Sequence, residues 1–216
     1  MLTKRLQKIS SVIPRSRVIA DVGCDHGYVG IEALTSGVAD SVIFVDISND
    51  CLQKARENCP AALKNRADFV CQNGLENLIV DCAVICGMGG LEIISILNNA
   101  LTPPLGLVLQ PMKNQYETRK YLTENGYAIK SDELFCDGKF YDLIVAYRSQ
   151  TAEILNEQEL TFGKTNLQNP SEDFINFLKK ELNKLNGILL CCSDSKALEK
   201  RTKVQNALAE ALKKER

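Results

Sequence analysis

The sequence predicts an α/β fold: a seven-stranded, mostly parallel sheet with an antiparallel last strand, followed by a C-terminal antiparallel helical hairpin. Three observations carry this expectation. Across the first 150 residues short apolar runs alternate with helical stretches, the pattern of βαβ units around a parallel sheet. The last two apolar runs are separated only by Cys136, Asp137, Gly138 and Lys139, which suits a hairpin and is too short for a crossover. Beyond Gln150 the strand signal stops, and apolar residues recur at spacings of three and four.

Strands are expected at Val18–Val22, Ser41–Asp46, Asp68–Gln72, Cys82–Cys86, Gly106–Gln110, Tyr127–Leu134 and Phe140–Arg148. Helices fill the gaps at Tyr28–Ser36, Ser48–Asn58, Leu91–Ala100 and Asn114–Asn125, the last stopped by Gly126. Pro170-Ser171-Glu172 reads as a helix start with a serine cap. From there Ile175, Leu178, Leu182, Leu185, Leu189 and Cys192 form a heptad seam, and Gly187 within it costs roughly 1 kcal/mol against Ala, enough for a kink. After the polar break Ser193-Asp194-Ser195, a second helix continues the spacing with Ala197, Val204, Leu208 and Ala211, interrupted by Arg201. This hairpin reads equally well as a packing or dimerisation element and as an arm that grasps a substrate.

The chain's 216 residues suit one full domain, residues 1–150, plus a smaller helical unit, residues 151–216. With 45% apolar and 25% charged residues it can build a sizeable core, and disorder is excluded. A net charge of -1 predicts no strong non-specific pull toward nucleic acid or membrane. No apolar run approaches the roughly 18 residues of a membrane span, and residues 1–12 lack a secretory pattern, so a cytoplasmic protein is expected. The nine cysteines are an odd count with few close pairs beside a single histidine, His26, so they read as small buried residues and no metal site is expected.

The first strand runs into Asp21-Val22-Gly23-Cys24-Asp25-His26-Gly27-Tyr28. Gly23 and Gly27 let backbone approach a ligand at the carboxyl end of the sheet. The third glycine of a dinucleotide fingerprint is missing and a carboxylate stands at the centre, so a pyrophosphate would be repelled. The sulfonium and amino groups of S-adenosylmethionine are compatible with Asp21 and Asp25. The second strand ends in Val45-Asp46-Ile47, where an acid can accept hydrogen bonds from both hydroxyls of a ribose. Structural turn glycines and a surface acid are the alternative.

The third strand exits into Gln72-Asn73-Gly74-Leu75, placed either to read an adenine or simply to turn. The fourth runs into Gly87-Met88-Gly89-Gly90, whose missing side chains leave room for a flat acceptor beside the methyl group. The fifth supplies Gln110-Pro111-Met112 at the same rim. His26 is a candidate general base, a positioning group or a structural imidazole; a ring nitrogen with a free lone pair needs no base for alkylation. Lys4, Arg5, Lys8, Arg15 and Arg17 put five positive charges and no negative one in the first twenty residues, either a phosphate-contacting face or a solvated amphipathic helix.

Taken in order, Asp21-Val-Gly-Cys-Asp-His-Gly-Tyr28, Asn73-Gly-Leu75, Gly87-Met-Gly-Gly90, Leu107-Val-Leu-Gln-Pro-Met112, Asn125-Gly-Tyr127, Phe140-Tyr-Asp142 and Phe162-Gly163 resemble the bacterial tRNA (adenine-22-N1)-methyltransferase family, TrmK. The resemblance spans nearly the whole chain. It implies a Rossmann-like class I methyltransferase fold with a C-terminal coiled-coil hairpin, S-adenosyl-L-methionine as cofactor, no metal, and tRNA as substrate. It places Gly23, Asp25 and Gly27 around the methionine part of the cofactor, Asp46 on its ribose and Asn73 near its adenine. Cys24, Ile47, Gly74 and Gly87 are expected beside them as further cofactor contacts, and His26, Tyr28, Met88 and Gln110 are the expected catalytic residues. A monomer or weak homodimer is expected. The chain departs from the family pattern at Asn73, where Asp is usual, at Gly27, where Ala is common, and at Asp142, where Glu is frequent. Methylation of a small molecule or protein, a non-catalytic cofactor-binding module and a nicotinamide oxidoreductase are the rival readings.

Overall fold

The computed structural model describes residues 2–191 and 193–214. The sheet is built from β1 (Ser16–Val22), β2 (Ala39–Asp46), β3 (Ala67–Cys71), β4 (Cys82–Met88), β5 (Gly106–Pro111), β6 (Tyr127–Asp137) and β7 (Lys139–Arg148). Their order across it is β3-β2-β1-β4-β5-β7-β6. Five strands are parallel, and β7 is antiparallel to both of its neighbours, as expected for a hairpin on a parallel sheet. β5 is buried along its whole length, which explains why it reads as a continuous apolar run: helices cover both of its faces.

Around the sheet lie α1 (Lys4–Ser11), α2 (Tyr28–Thr35), α3 (Asn49–Asn58), α4 (Gly90–Asn98) and α5 (Gln115–Glu124). One apolar layer joins Leu75, Ile93, Ile96 and Leu97 to Ile85, Leu107 and Leu109. The opposite layer joins Ile9, Val29, Ala33, Leu34, Leu52 and Ala55 to Ile19, Val42 and Phe44. Several strands run further than their apolar runs suggest: β1 and β2 each begin two residues earlier, at Ser16 and Ala39. β4 continues to Met88 through a bulge at Gly87, and β6 continues to Asp137. A 3-10 turn, Ala61–Arg66, is new, because no apolar periodicity marks it. Asn114, expected as the first helical residue, is instead the left-handed residue before α5, with φ 59°.

Among the described residues, the chain beyond Gln150 holds four helices: α6 (Glu157–Phe162), α7 (Lys164–Gln168), α8 (Glu172–Cys191) and α9 (Ser195–Lys214). The first two are too short for periodicity to reveal them, although α6 carries a capping box between Asn156 and Glu159. Ser171 caps α8 as expected, its Oγ accepting from the Phe174 N–H at 3.1 Å. α8 and α9 form the expected antiparallel hairpin, pinned by Lys200 on Glu181 at 2.9 Å. Phe174, Ile175, Leu178 and Leu185 pack on Ala197, Val204, Ala207 and Ala211, and Leu182 and Leu189 are partly buried beside them. α8 passes through Gly187 without a break. Cys192, the last seam residue expected, lies outside the described residues. Among the described residues no helix is long and apolar enough to cross a membrane.

The eight described cysteines are unpaired. Cys24, Cys59 and Cys82 are buried as expected, but Cys71 and Cys191 are exposed. Cys71 is the last residue of the sheet's other edge strand, and Cys191 ends α8, so neither can reach an apolar layer. Among the described residues no three His, Cys, Asp or Glu side chains are grouped to hold a metal ion.

The sheet's outer strand β6 would leave a row of N–H groups unpaired. Side chains of the helical segment fill that row: Thr165 Oγ1 accepts from Asp132 N, Asn166 Oδ1 from Leu134 N and Asp173 Oδ2 from Cys136 N, at 3.1, 2.9 and 2.9 Å. Next to it, Arg119 of α5 is fully buried and forks onto Asp132 at 2.7 and 2.9 Å, while its Nη2 also reaches Asp142 at 2.5 Å. Its Nη1 donates to the Leu160 carbonyl. Burial alone would lower the guanidinium's pKa, but the two carboxylates more than offset it and hold the group charged. Burial raises the pKa of Asp142, against the pull of Arg119.

Removing one member leaves buried charge uncompensated. Arg119→Ala is therefore expected to lose about 3–5 kcal/mol of stability in urea unfolding. Arg15→Ala, which breaks the exposed pair with Asp40 and two long, exposed hydrogen bonds to the Ser16 and Val38 carbonyls, should lose no more than about 1 kcal/mol.

Candidate active site

β1 and β4 are neighbours although β2 and β3 separate them in sequence. Their following loops therefore leave in opposite directions and open a crevice at the carboxyl ends, where ligands of such sheets sit. Two cavities occupy this crevice. The first, of about 300 Å³, is lined by Gly23, Asp46, Ile47, Asn73, Gly74, Gly87 and Met88, with Gln72, Glu92 and Ile96 completing it. The second, of about 410 Å³, is lined by Asp21, Gly23, Cys24, Asp25, His26, Tyr28, Cys86 and Gly87, with Arg5 and Leu6 of α1 on its far wall. They meet at Val22, Gly23, Cys86 and Gly87.

Backbone conformation makes that meeting point. Gly23 has φ 68° and Gly87 φ 82°, both in the left-handed region. A Cβ on Gly23 would collide with Met88 Cε, and one on Gly87 would stand 2.9 Å from an Arg5 guanidinium nitrogen. Gly87 is the bulged residue of β4: Cys86 pairs Gln110 and Met88 pairs Pro111, which leaves Gly87 out of the ladder. Gly27 also has a positive φ, 71°, and an added Cβ would stand 2.9 Å from Ala55 Cβ. Gly27 is thus fixed by its conformation and by close packing of α2 on α3, so the family's common alanine would not be a mild exchange in this chain.

Asp46 braces the loop. Its Oδ2 accepts from Asp25 N at 3.2 Å and its Oδ1 from Ser48 N at 2.9 Å, which holds Asp25 at φ 46°. A carboxylate has about four lone-pair directions, so two remain toward the first cavity. Asp21 is buried near the end of β1, accepts from Gly30 N at 2.9 Å and has no cationic partner among the described residues. Burial, reinforced by the charge of Asp46, pushes its pKa up to about 7. Burial likewise raises the thiol pKa of Cys24 and of Cys86, so both stay protonated and neither is a nucleophile.

The donor set suits a nucleoside that carries positive charge: acids at the ribose and loop positions, an amide at Asn73, and glycine backbone where a ligand must come close. It does not suit a pyrophosphate.

On the other side, His26 Nδ1 lies 2.7 Å from Asp25 Oδ2, and the imidazole stacks on Tyr28 with ring centroids 5.5 Å apart and planes 11° from parallel. Both rings are partly exposed, which gives a flat wall. Gln110 stands apart from the other expected residues. It is fully buried; its Oε1 accepts from Arg5 Nε at 2.8 Å and its Nε2 faces Met112 Sδ at 3.1 Å. It supports Arg5 and does not face the acceptor space. Arg5, read from sequence as one of five outward cations, turns inward, while Lys8, Arg15 and Arg17 pair with Glu133, Asp40 and Asp81. Sequence reasoning missed Glu92 as a wall of the first cavity; an acid in the first turn after Gly89-Gly90 is the only signal it gives. A larger cleft of about 770 Å³ lies along the other face of α1, against β6 and α7, and has none of these glycine turns.

A sequence profile described as tRNA (adenine(22)-N(1))-methyltransferase, TrmK, matches residues 19–214. The tRNA (adenine(22)-N(1))-methyltransferase of Bacillus subtilis is 34% identical over 154 residues, covering 67% of this chain and 64% of that protein. Streptococcus pneumoniae Sp1610, solved in complex with S-adenosyl-L-methionine, is 27% identical with a TM-score of 0.82 and 99% of both chains covered. M. capricolum TrmK, solved with S-adenosyl-homocysteine, is 25% identical with a TM-score of 0.81, covering 99% of this chain and 97% of that one. With the profile matching residues 19–214 and the fold shared over nearly the whole chain, this protein belongs to the TrmK family of tRNA (adenine(22)-N(1))-methyltransferases.

Proposed function

We propose that this chain transfers the methyl group of S-adenosyl-L-methionine to N1 of adenine 22 in tRNA. The observation that carries the reading is the pair of cavities meeting across Gly23 and Gly87: one is edged by acids and an amide, the other by a flat aromatic wall. The cofactor, when bound, supplies an electrophilic methyl group on a positively charged sulfur. Asp46 holds the ribose, and Asn73 and Gly74 border the adenine. Gly23, Cys24, Asp25 and Gly27 shape the loop around the methionine part, with Ile47 and Gly87 as further walls. His26 and Tyr28 offer the incoming base a stacking face, and Met88 packs over Gly23 between the two spaces. Most of the acceleration comes from alignment, and Asp21 and Asp25 stabilise positive charge as it moves onto the base. Residues 1–150 form the catalytic unit and residues 151–216 the helical unit, a division supported by both cavities being built from residues before 150. The protein acts in the cytoplasm as a monomer or weak homodimer.

The reading is tested by labelled methyl transfer into unmodified tRNA, followed by nucleoside analysis. N1-methyladenosine at position 22 is the expected product; label appearing only elsewhere, or cofactor bound without transfer, overturns it. Asp46→Ala is expected to raise the cofactor Kd about 10- to 100-fold in calorimetry, the worth of one or two hydrogen bonds to a charged group. His26→Asn should keep kcat within a few-fold of the parent, because N1 attacks with its own lone pair; loss of a general base would instead cost about 100- to 10,000-fold.

Asp21 adds a pH dependence. Its carboxyl holds a proton in the folded protein up to about pH 7, whereas the unfolded value is 3.8. Between those values the native state binds more protons than the unfolded one, so stability falls as pH rises through this window and levels off above it. The ionised group costs on the order of 4 kcal/mol at most. Asp21→Asn should flatten this slope in ligand-free thermal unfolding and raise Tm at pH 8. The parent's affinity for S-adenosyl-L-methionine should rise from pH 6 to pH 8, and that rise should vanish in the variant.

A further inference from the structure

Two cations lie in the spaces that glycine side chains would fill along the Gly87–Gly90 loop. From α1, Arg5 rests against Gly87; from the segment after β5, Lys113 runs along Gly89, its Cε 3.0 Å from where a Cβ would stand. Both are held in place. The Arg5 backbone N–H donates to Asp137 Oδ2 at 2.9 Å, its Nε donates to Gln110, and its guanidinium sits over the Tyr141 ring at 5.3 Å. The loop carrying Lys113 is zipped to the glycine loop, Met112 N donating to the Met88 carbonyl and Gly90 N to the Lys113 carbonyl, each at 2.8 Å. Two residues of extended chain span no more than about 7 Å, so both cations address one short stretch beside the transfer point.

Neither cation has a carboxylate partner among the described residues. Lys8, Arg15 and Arg17 are each paired with a carboxylate, whereas Lys4 Nζ donates to the Cys136 carbonyl at 2.8 Å. A half-buried guanidinium held by a neutral amide and a ring lacks only an anion. A base edge is the wrong occupant. A guanidinium matches guanine O6 and N7, whereas adenine presents an amino donor beside N7 that a donor-only group cannot satisfy. The reaction also moves positive charge onto the acceptor base, which bare cations nearby would oppose; a phosphate between them removes that opposition.

We propose that Arg5 and Lys113 form a phosphate subsite gripping the backbone of the target nucleotide beside the Gly87–Gly90 loop. The inference rests on the tRNA-methylating reading above. Its test measures binding of an unmodified tRNA transcript across a salt series, together with methylation kinetics, for the parent, Lys113→Ala, Arg5→Ala and the double variant. Arg17→Ala, whose cation is exposed and paired, serves as the control. The log–log salt slope should shrink by about 1 for each single variant and about 2 for the double variant. KM for tRNA should rise about 10-fold per residue, with cofactor affinity unchanged. Lys113 is exposed, so its replacement isolates the contact from any effect on folding. Lys113→Ala with the parental slope and KM overturns the subsite. A parent protein that methylates no tRNA overturns the underlying reading instead.

Discussion

The site depends on one topological constraint: β1 and β4 lie side by side while the chain departs from them to opposite flanks of the sheet. No side chain creates the crevice. It follows from strand order, and the sequence lines it with residues that can bear being there. At the meeting point those residues are glycines at positive φ, because the backbone must turn sharply just where two ligands are brought together. The bulge at Gly87 belongs to the same solution. By leaving the ladder it frees a stretch of backbone between the two cavities, which a regular strand would have kept flat.

The crevice is acidic where most nucleotide sites are not. Asp21, Asp25 and Asp46 converge on the loop after β1, and the described residues supply backbone N–H donors but no cation for Asp21 or Asp46. A protein optimised only for stability would not bury Asp21 with a single backbone N–H as its hydrogen-bond donor. The unmet charge is a preference for a guest that brings its own positive charge, and it is paid for in folding stability. The buried thiols fit this picture: at Cys24 and Cys86 sulfur serves as a compact apolar wall, and its reactivity is suppressed by the same lack of solvation that perturbs Asp21.

Much of this was legible in sequence, and the division has physical reasons. Gly23, Asp46, Asn73 and Gly87 stand where strands end, and strand ends follow from apolar runs, so their convergence could be argued from order alone. The heptad seam of Ile175 to Leu189 was legible for the same reason, since period survives without coordinates. What was not legible was direction. Arg5 sits among other cations on a helix whose inward face is set by packing against α2 and β6, long-range contacts that composition does not encode. Gln110 looked like a reader at the rim because it ends a strand, yet burial turned it into a support for Arg5. The short helices α6 and α7 have too few turns to establish a period, and the extension of β6 was hidden because Phe135, Cys136 and Asp137 pair with Tyr141, Phe140 and Lys139 across the hairpin at positions where no apolar run continues.

The side chains that fill the outer row of β6 also set an order of events during synthesis. Thr165, Asn166 and Asp173 leave the ribosome after β6, so the nascent sheet carries a bare hydrogen-bonding margin until some forty further residues have emerged. Another nascent chain could dock on that margin in the interval. The helical tail thereby acts as a built-in escort, sealing the enzyme against its own copies before it meets any RNA.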